Sequence, residues 1–196
     1  MLQQALTPKV TKYFRHSPTD RQRAFLLYNG REALYGGAAG GGKSDALLMA
    51  ALQYADVPGY SAVLFRRTYA DLAKPEALMD RANEWLRGAD AKWNEQRKQW
   101  RFPSGAVLSF GHLEHENDKY EYQGAAYQFI GFDELTQFTR TQYLYLFSRL
   151  RRLKGLPVPL RVRAGSNPGG VGHEWVFDRF FTNRGSRVFV RSLLED

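Results

Sequence analysis

The stretch Gly37-Ala-Ala-Gly-Gly-Gly42-Lys43-Ser44 fits the phosphate-loop pattern G-x-x-x-x-G-K-[ST] without a mismatch. Each position has a physical reason. The run Gly37, Ala38, Ala39, Gly40, Gly41 and Gly42 lets the backbone curl until several N–H groups face one concavity, a nest for anions. A helix beginning at Lys43 aims the positive end of its dipole at the same point. Lys43 reaches the β- and γ-phosphates of a nucleotide as a point charge, and Ser44 puts its hydroxyl on Mg²⁺. The context agrees. An apolar strand at Ala33 to Tyr35 precedes the loop, and Lys43 to Ala55 reads as a helix with Ala46, Leu47, Leu48, Ala50 and Ala51 as apolar cover.

Downstream, Phe129-Ile-Gly-Phe-Asp133-Glu134 is an apolar strand that stops at two acids. Beside a phosphate loop, Asp133 is placed to hold the Mg²⁺ shell, and Glu134 to polarise a water attacking the γ-phosphate. Leu160 to Ala164 is a further strand, leading into Ser166-Asn167. The carboxyl ends of parallel strands meet at one edge where ligands bind, so Ser166 and Asn167 are candidates for sensing the γ-phosphate. The sequence Asn167-Pro168-Gly169-Gly170 also reads simply as a turn. Gln22 precedes the first strand, where its amide is either an adenine contact or a surface group.

Ser61 to Phe65 is read as a buried strand, and Thr68 to Leu86 as helix with a break at Pro75. Short runs at Lys92, Gln99 and Ala106 to Phe110, with Pro103-Ser-Gly105 between the last two, form a small antiparallel insertion around 92–111. Thr139 to Leu153 reads as a helix, Glu174 to Phe181 as a short one, and Arg187 to Val190 as a last strand. Strands alternating with helices predict an α/β fold with a mostly parallel sheet covered on both faces. Residues 1–20 read as a loosely structured arm, and 21–196 as the domain.

Composition excludes other classes. The 196 residues are 43% hydrophobic and 24% charged, ordinary globular usage. No run approaches the ~20 apolar residues of a membrane span, and the N-terminus lacks the apolar core of a secretory signal. Without cysteine there is no disulfide framework or thiolate metal site. His112-Leu-Glu-His115-Glu116 is a possible metal cluster, but without a third ligand at a convincing spacing it reads better as a charged loop. The net charge of +8 concentrates in residues 149–196, where ten basic less four acidic residues leave +6. Arg149, Arg151, Arg152, Lys154, Arg161 and Arg163 have no acid between them, which suggests either a polyanionic partner or a solvated face.

The ordered set of motifs resembles the ATPase domain of the large subunit of tailed-phage terminases. Tyr35 to Ser44 carries the likeness, together with Ser17-Pro-Thr-Asp-Arg-Gln22, Val63-Leu-Phe-Arg-Arg67-Thr68, Phe110-Gly-His112, Tyr122-Gln-Gly124, Phe132-Asp-Glu134-Leu-Thr136-Gln-Phe138 and Gly165-Ser-Asn-Pro168. The resemblance implies a RecA-like P-loop core of the class with an extra catalytic glutamate (ASCE). It also implies an ATP-driven motor that moves double-stranded DNA into a procapsid. Gln22 is then the adenine-side residue, Asp133 the metal acid, Glu134 the catalytic acid, and Ser166-Asn167 the coupling motif. Implied partners are a portal protein, the procapsid, a small terminase subunit and further copies of the chain in a ring, in the host cytoplasm, with no membrane.

Two departures follow. The family's C-terminal nuclease domain is expected to lie outside this chain, so no nuclease activity is expected of it. The arginine that many relatives carry in the phosphate loop or just before the Asp-Glu strand is replaced by Ala38-Ala39 and Tyr122-Gln123. Such an arginine contributes ~10³–10⁵ in rate. Arg66, Arg101, Arg140 and Arg149 are the candidates to replace it, with Arg67 beside them. Other readings are a helicase or recombination motor on the same core, a nucleotide-binding module that assembles without turnover, and a small-molecule kinase.

Overall fold

The computed structural model describes residues 9–37 and 40–192. Ala38 and Ala39 of the phosphate loop, the first eight residues and Leu193 to Asp196 lie outside the described residues. Eight strands form one sheet: β1 (Glu32–Gly37), β2 (Ser61–Arg66), β3 (Lys92–Asn94), β4 (Gln99–Arg101), β5 (Val107–His112), β6 (Phe129–Asp133), β7 (Arg161–Ser166) and β8 (Val188–Ser192). Their order across the sheet is β3-β4-β5-β2-β6-β7-β1-β8. The six strands from β5 to β8 run parallel, and the β3–β4 and β4–β5 pairings are antiparallel. This is the α/β, mostly parallel sheet that the alternation predicts, and it fits the RecA-like core that the resemblance implies. Strand β5 closes the antiparallel part and also pairs parallel with β2, so it belongs to the main sheet.

Successive residues of a strand face opposite sides, and here both sides are buried. Ala62 and Leu64 of β2 and Phe129 of β6 pack with Leu47, Leu48 and Leu52 of α2 (Lys43–Leu52) and Leu26 of α1 (Asp20–Leu27). Val63, Phe65, Ile130 and Phe132 pack with Tyr143 and Leu146 of α5 (Arg140–Phe147) and Val176 of α6 (His173–Phe177). Four of the five β6 residues are apolar or glycine because neither face of the strand meets water.

The break expected at Pro75 is present, and two other expectations change. The 68–86 segment divides into α3 (Tyr69–Ala73) and α4 (Leu78–Leu86). Pro75 biases Lys74 to extended backbone, at ψ 152°, and Glu76 is left-handed at φ 62°. The 139–153 helix stops at Phe147, because the chain turns there to pair with the start of β6. Tyr127 N donates to Arg149 O at 3.0 Å, and Arg151 N to Tyr127 O at 2.9 Å. The described part of the N-terminal arm, 9–19, has no regular element but is packed. Tyr13 is buried against Phe102 and donates to Asp90, and Lys9 pairs with Asp56.

One buried ion cluster ties the C-terminal segment to the sheet. Glu32, at the start of β1, accepts from Arg179, Arg187 and the Tyr143 hydroxyl at 2.6–3.0 Å. Burial would raise its pKa, but the bonds from Arg179 and Tyr143 outweigh that and hold it below the usual 4.5. Its contribution to stability is therefore full above 4.5 and fades as pH falls through the lowered folded value. Glu32→Gln strands two guanidiniums and is expected to cost about 3 kcal/mol at neutral pH. Thermal melts taken down into the carboxylate range should show a shallower acid limb for the variant than for the wild type.

Candidate functional site

Strand β7 lies between β1 and β6, so its carboxyl end separates the phosphate loop from the two acids. A Cβ placed on Gly165 of β7 would stand 3.6 Å from Asp133 Oδ1 and 3.6 Å from Lys43 Cβ. The close approach of strand, lysine and carboxylate is set there. Lys43 and Asp133 are buried, at 8% and 3% exposure. Burial lowers the Lys43 ammonium's pKa, partly offset by the charges of Glu134 and Asp133. Burial raises that of the Asp133 carboxyl, against which the Arg66 guanidinium pulls down. Asp133 Oδ2 accepts from Arg66 Nη1, an ion pair with both side chains largely shielded.

Glu134 is half-buried and sits in left-handed backbone, φ 53° and ψ 58°. A non-glycine residue there carries ~1–3 kcal/mol of strain, which its surroundings must hold. They do so at both carboxylate oxygens. Asn167 Nδ2 donates to Oε1 at 3.0 Å, and Asn167 N to Oε2 at 3.3 Å. Ser166 Oγ donates to Thr136 Oγ1 at 3.1 Å, and Thr136 N donates back to Ser166 Oγ at 3.3 Å. The turn at Asn167 is real, and it is also the partner of Glu134.

The phosphate loop opens α2 at Gly42, left-handed at φ 63°. Gln22 is buried rather than on the surface. Its Oε1 accepts from Thr19 N at 3.0 Å, and its Nε2 donates to Gly42 O at 3.1 Å. Its amide therefore caps α1 and braces the loop. One cavity of about 340 Å³ unites Gly40, Gly42, Lys43, Ser44, Gln22, Glu134 and Asn167. His16, Thr19, Asp45 and Arg81 also line it, and these the sequence reading missed. Asp45 directly follows Ser44, which was a signal. Arg81 stands on α4, with nothing in the sequence pointing to the loop.

The arginine candidates scatter. Arg66 is on Asp133. Arg140 is exposed at the first turn of α5 and does not line the cavity. Arg101 pairs with Val107 at the start of β5, and Arg149 with Tyr127 just before β6, so both lie at the sheet edge opposite the site. Arg161 and Arg163 leave the basic surface run. They are 7% and 0% exposed and donate to Leu26, Tyr28, Gly30 and Arg31 carbonyls at the end of α1. Burial and the neighbouring Arg161 bring the Arg163 pKa down to about 9.

Among the described residues no three His, Cys, Asp or Glu side chains gather as a metal cluster, the His112–Glu116 segment included. Mg²⁺ needs none, since it takes one or two carboxylates with phosphate and water oxygens. The hard oxygens of Ser44 and Asp133 fit that chemistry.

Comparison with known proteins agrees with the fold. The family model described as terminase large subunit, T4likevirus-type, N-terminal, matches residues 34–157, well over half of the chain. The large terminase of a thermophilic bacteriophage, in complex with ADP, superposes with a TM-score of 0.67 at 12% identity, covering 95% of this chain and 44% of that one. The same terminase in complex with ATP-gamma-S gives 0.61 at 11%, covering 96% and 45%. The N-terminal domain of the DNA packaging ATPase from bacteriophage phi29 gives 0.63 at 17%, covering 89% and 96%. The chain spans less than half the length of the thermophilic phage's terminase. A search of curated proteins finds no match.

A side chain at Gly42 meets two obstacles, the left-handed backbone and Gln22 Nε2 only 2.6 Å from the new Cβ. Gly42→Ala should lower stability by about 1–2 kcal/mol, read from urea unfolding midpoints.

Proposed function

The chain belongs to the T4likevirus-type terminase large subunit family, N-terminal part, and from that premise we propose that it is the ATP-hydrolysing motor domain of a viral DNA-packaging machine. The observation that carries this is the joining of Lys43, Glu134 and Asn167 in one cavity at the carboxyl edge of a parallel sheet, with buried Asp133 beside them. Lys43 binds the β- and γ-phosphates. Ser44 and Asp133 would hold Mg²⁺, which neutralises charge on the β- and γ-oxygens when bound. Glu134 orients and polarises the attacking water, with its carboxylate aimed by Asn167. Gln22 stands on the adenine side and acts through its hold on Gly42.

Ser166 and Asn167 couple the site to movement. They join Glu134 to Thr136, and Thr136 O accepts from Gly172 N at 2.7 Å, just before α6. Loss of the γ-phosphate is thereby felt in the 136–138 and 169–172 loops. Arg66 is engaged by Asp133, and Arg101 and Arg149 are at the far edge. Arg67 donates to Gln137 O and Arg81 to Asp45, so on this reading the arginine that stabilises the transferring phosphoryl group comes from a neighbouring copy, as in a ring.

The substrate moved is double-stranded DNA, with a portal protein, procapsid and small terminase subunit as partners in the host cytoplasm. No helix among the described residues is long and apolar enough to cross a membrane. On the sheet edge opposite the cavity, Lys92, Arg101, Arg151, Arg152 and Lys154 are exposed and without a carboxylate partner among the described residues. Lys92 and Arg101 face each other across β3 and β4. Like charges so placed repel, and a polyanion relieves them.

Glu134→Gln should cut phosphate release by about 10²–10⁴-fold while MgATP affinity changes little. Unaltered release would remove Glu134 from its role. Wild-type turnover per chain should rise with protein concentration, and a flat profile would place the arginine within the chain. DNA affinity should fall steeply with salt. Neutralising Arg151 and Arg152 should flatten the logarithmic salt dependence by about one unit for each phosphate no longer neutralised, without touching ATP binding.

A further inference from the structure

The cavity wall formed by His16, Asp45 and Arg81 has no part in the chemistry above. Asp45 lies in the first turn of α2, two residues after Lys43, an acid beside a loop built for phosphates. A helix N-terminus tolerates a carboxylate well, but a bound nucleotide brings its own negative charge to the same place. Two groups bracket this acid. Arg81 Nη1 donates to Asp45 Oδ1 at 2.8 Å, and His16 Nε2 lies 3.2 Å from Oδ2. Both partners come from outside the loop, Arg81 from α4 and His16 from the N-terminal segment.

Arg81 is also fixed from behind. Its Nε donates to Glu76 O at 2.7 Å, and Glu76 holds that carbonyl from left-handed backbone. His16 is set by Ser17 O at 2.9 Å from its Nδ1 and by the edge of Trp85, 5.5 Å between centroids. A guanidinium has five N–H donors. Asp45 and Glu76 account for one on Nη1 and the one on Nε, and the outer Nη2 lies 3.8 Å from the exposed Glu76 carboxylate. The planar fork lines the same cavity as Lys43 and Ser44. Within that cavity Glu134 and Asn167 mark the γ-phosphate end on the reading above. Thr19, Gln22 and His16 mark the other.

We propose that Arg81 is a binding residue for the α-phosphate and ribose side of the nucleotide, held in register by Asp45. This rests on the nucleotide-site reading of the same cavity. The geometry suits it. A pre-set guanidinium loses little freedom on binding, and its fork matches two phosphate oxygens better than a lysine would. Because the contact is at the end that ADP and ATP share, Arg81 holds the diphosphate as firmly as the triphosphate. Asp45 is the positioning residue, trading one of the guanidinium donors for a fixed direction.

The test measures ADP binding by calorimetry on the full chain, with thermal melts of the same samples to confirm folding. Arg81→Ala should raise the ADP dissociation constant about tenfold or more. KM for ATP should rise by a similar factor, with a smaller change in kcat. Arg81→Lys should fall between. Asp45→Asn, whose amide oxygen can still accept from Arg81 Nη1, should weaken ADP binding by clearly less than Arg81→Ala. ADP affinity unchanged in folded Arg81→Ala overturns the proposal and leaves Arg81 a staple between α2 and α4. A kcat collapse with normal ADP binding also overturns it, and makes Arg81 the γ-side arginine. Equal weakening by Asp45→Asn and Arg81→Ala shows that Arg81 acts only through Asp45, which overturns it too. Lys43→Ala run alongside separates the two levels. If it also leaves ADP binding intact, the nucleotide-site reading fails and the inference falls with it.

Discussion

Hydrogen bonding in the sheet holds neighbouring strands about 4.8 Å apart, and that spacing decides what meets at the edge. With β7 between β1 and β6, Lys43 approaches Asp133 across a single strand whose residue there is glycine. The buried lysine and carboxylate sit within reach of each other and of Arg66, so no one of these charges is left alone in a poorly solvated place. Glu134 follows from the same constraint. It must leave β6 sharply to face the loop, and the chain makes that turn through left-handed backbone that Asn167 then holds.

The same layout explains how the two helical layers are used. The phosphate-loop face carries α1, α2, α3 and α4, and the cavity wall of Gln22, Asp45 and Arg81 comes from it, with His16 and Thr19 from the segment before it. The opposite face carries α5 and α6, packed through Phe132, Tyr143 and Val176. Among the described residues, a polar route leads from the cavity to that second layer. It runs from Glu134 through Asn167 and Ser166 to Thr136, and on to Gly172. The two helical layers are thus separated by the sheet and joined by hydrogen bonds at its edge.

What was legible in the sequence was what is local. The loop, the acids at the end of β6 and the Ser-Asn at the end of β7 are each short strings visible without their distant partners. Burial was not legible. Arg161 and Arg163 look like the rest of a basic run, yet backbone carbonyls at the end of α1 take their donors. The helix read to Leu153 ends at Phe147 because β6 offers backbone pairing that periodicity does not record. Arg81 and His16 reach the cavity only through tertiary packing, and no spacing rule connects them to Gly42. Gln22 was visible as a candidate, but its work on Thr19 and Gly42 depends on a turn that only the folded chain makes.

Strand β7 is anchored unevenly. At its start two guanidiniums are sealed among carbonyls and aromatic faces, with Arg163 5.7 Å from the Phe25 ring and 5.6 Å from that of Tyr28. At its finish, Ser166 and Asn167 face hydroxyls and a carboxylate that can exchange partners. The strand is a cantilever, clamped at the root and loaded at the tip. Sliding it as a body would drag buried cations from their acceptors, so displacement is confined to the last residues and to the loops they touch. The fold thereby fixes how much of the strand could move with the cavity edge on the proposed reading.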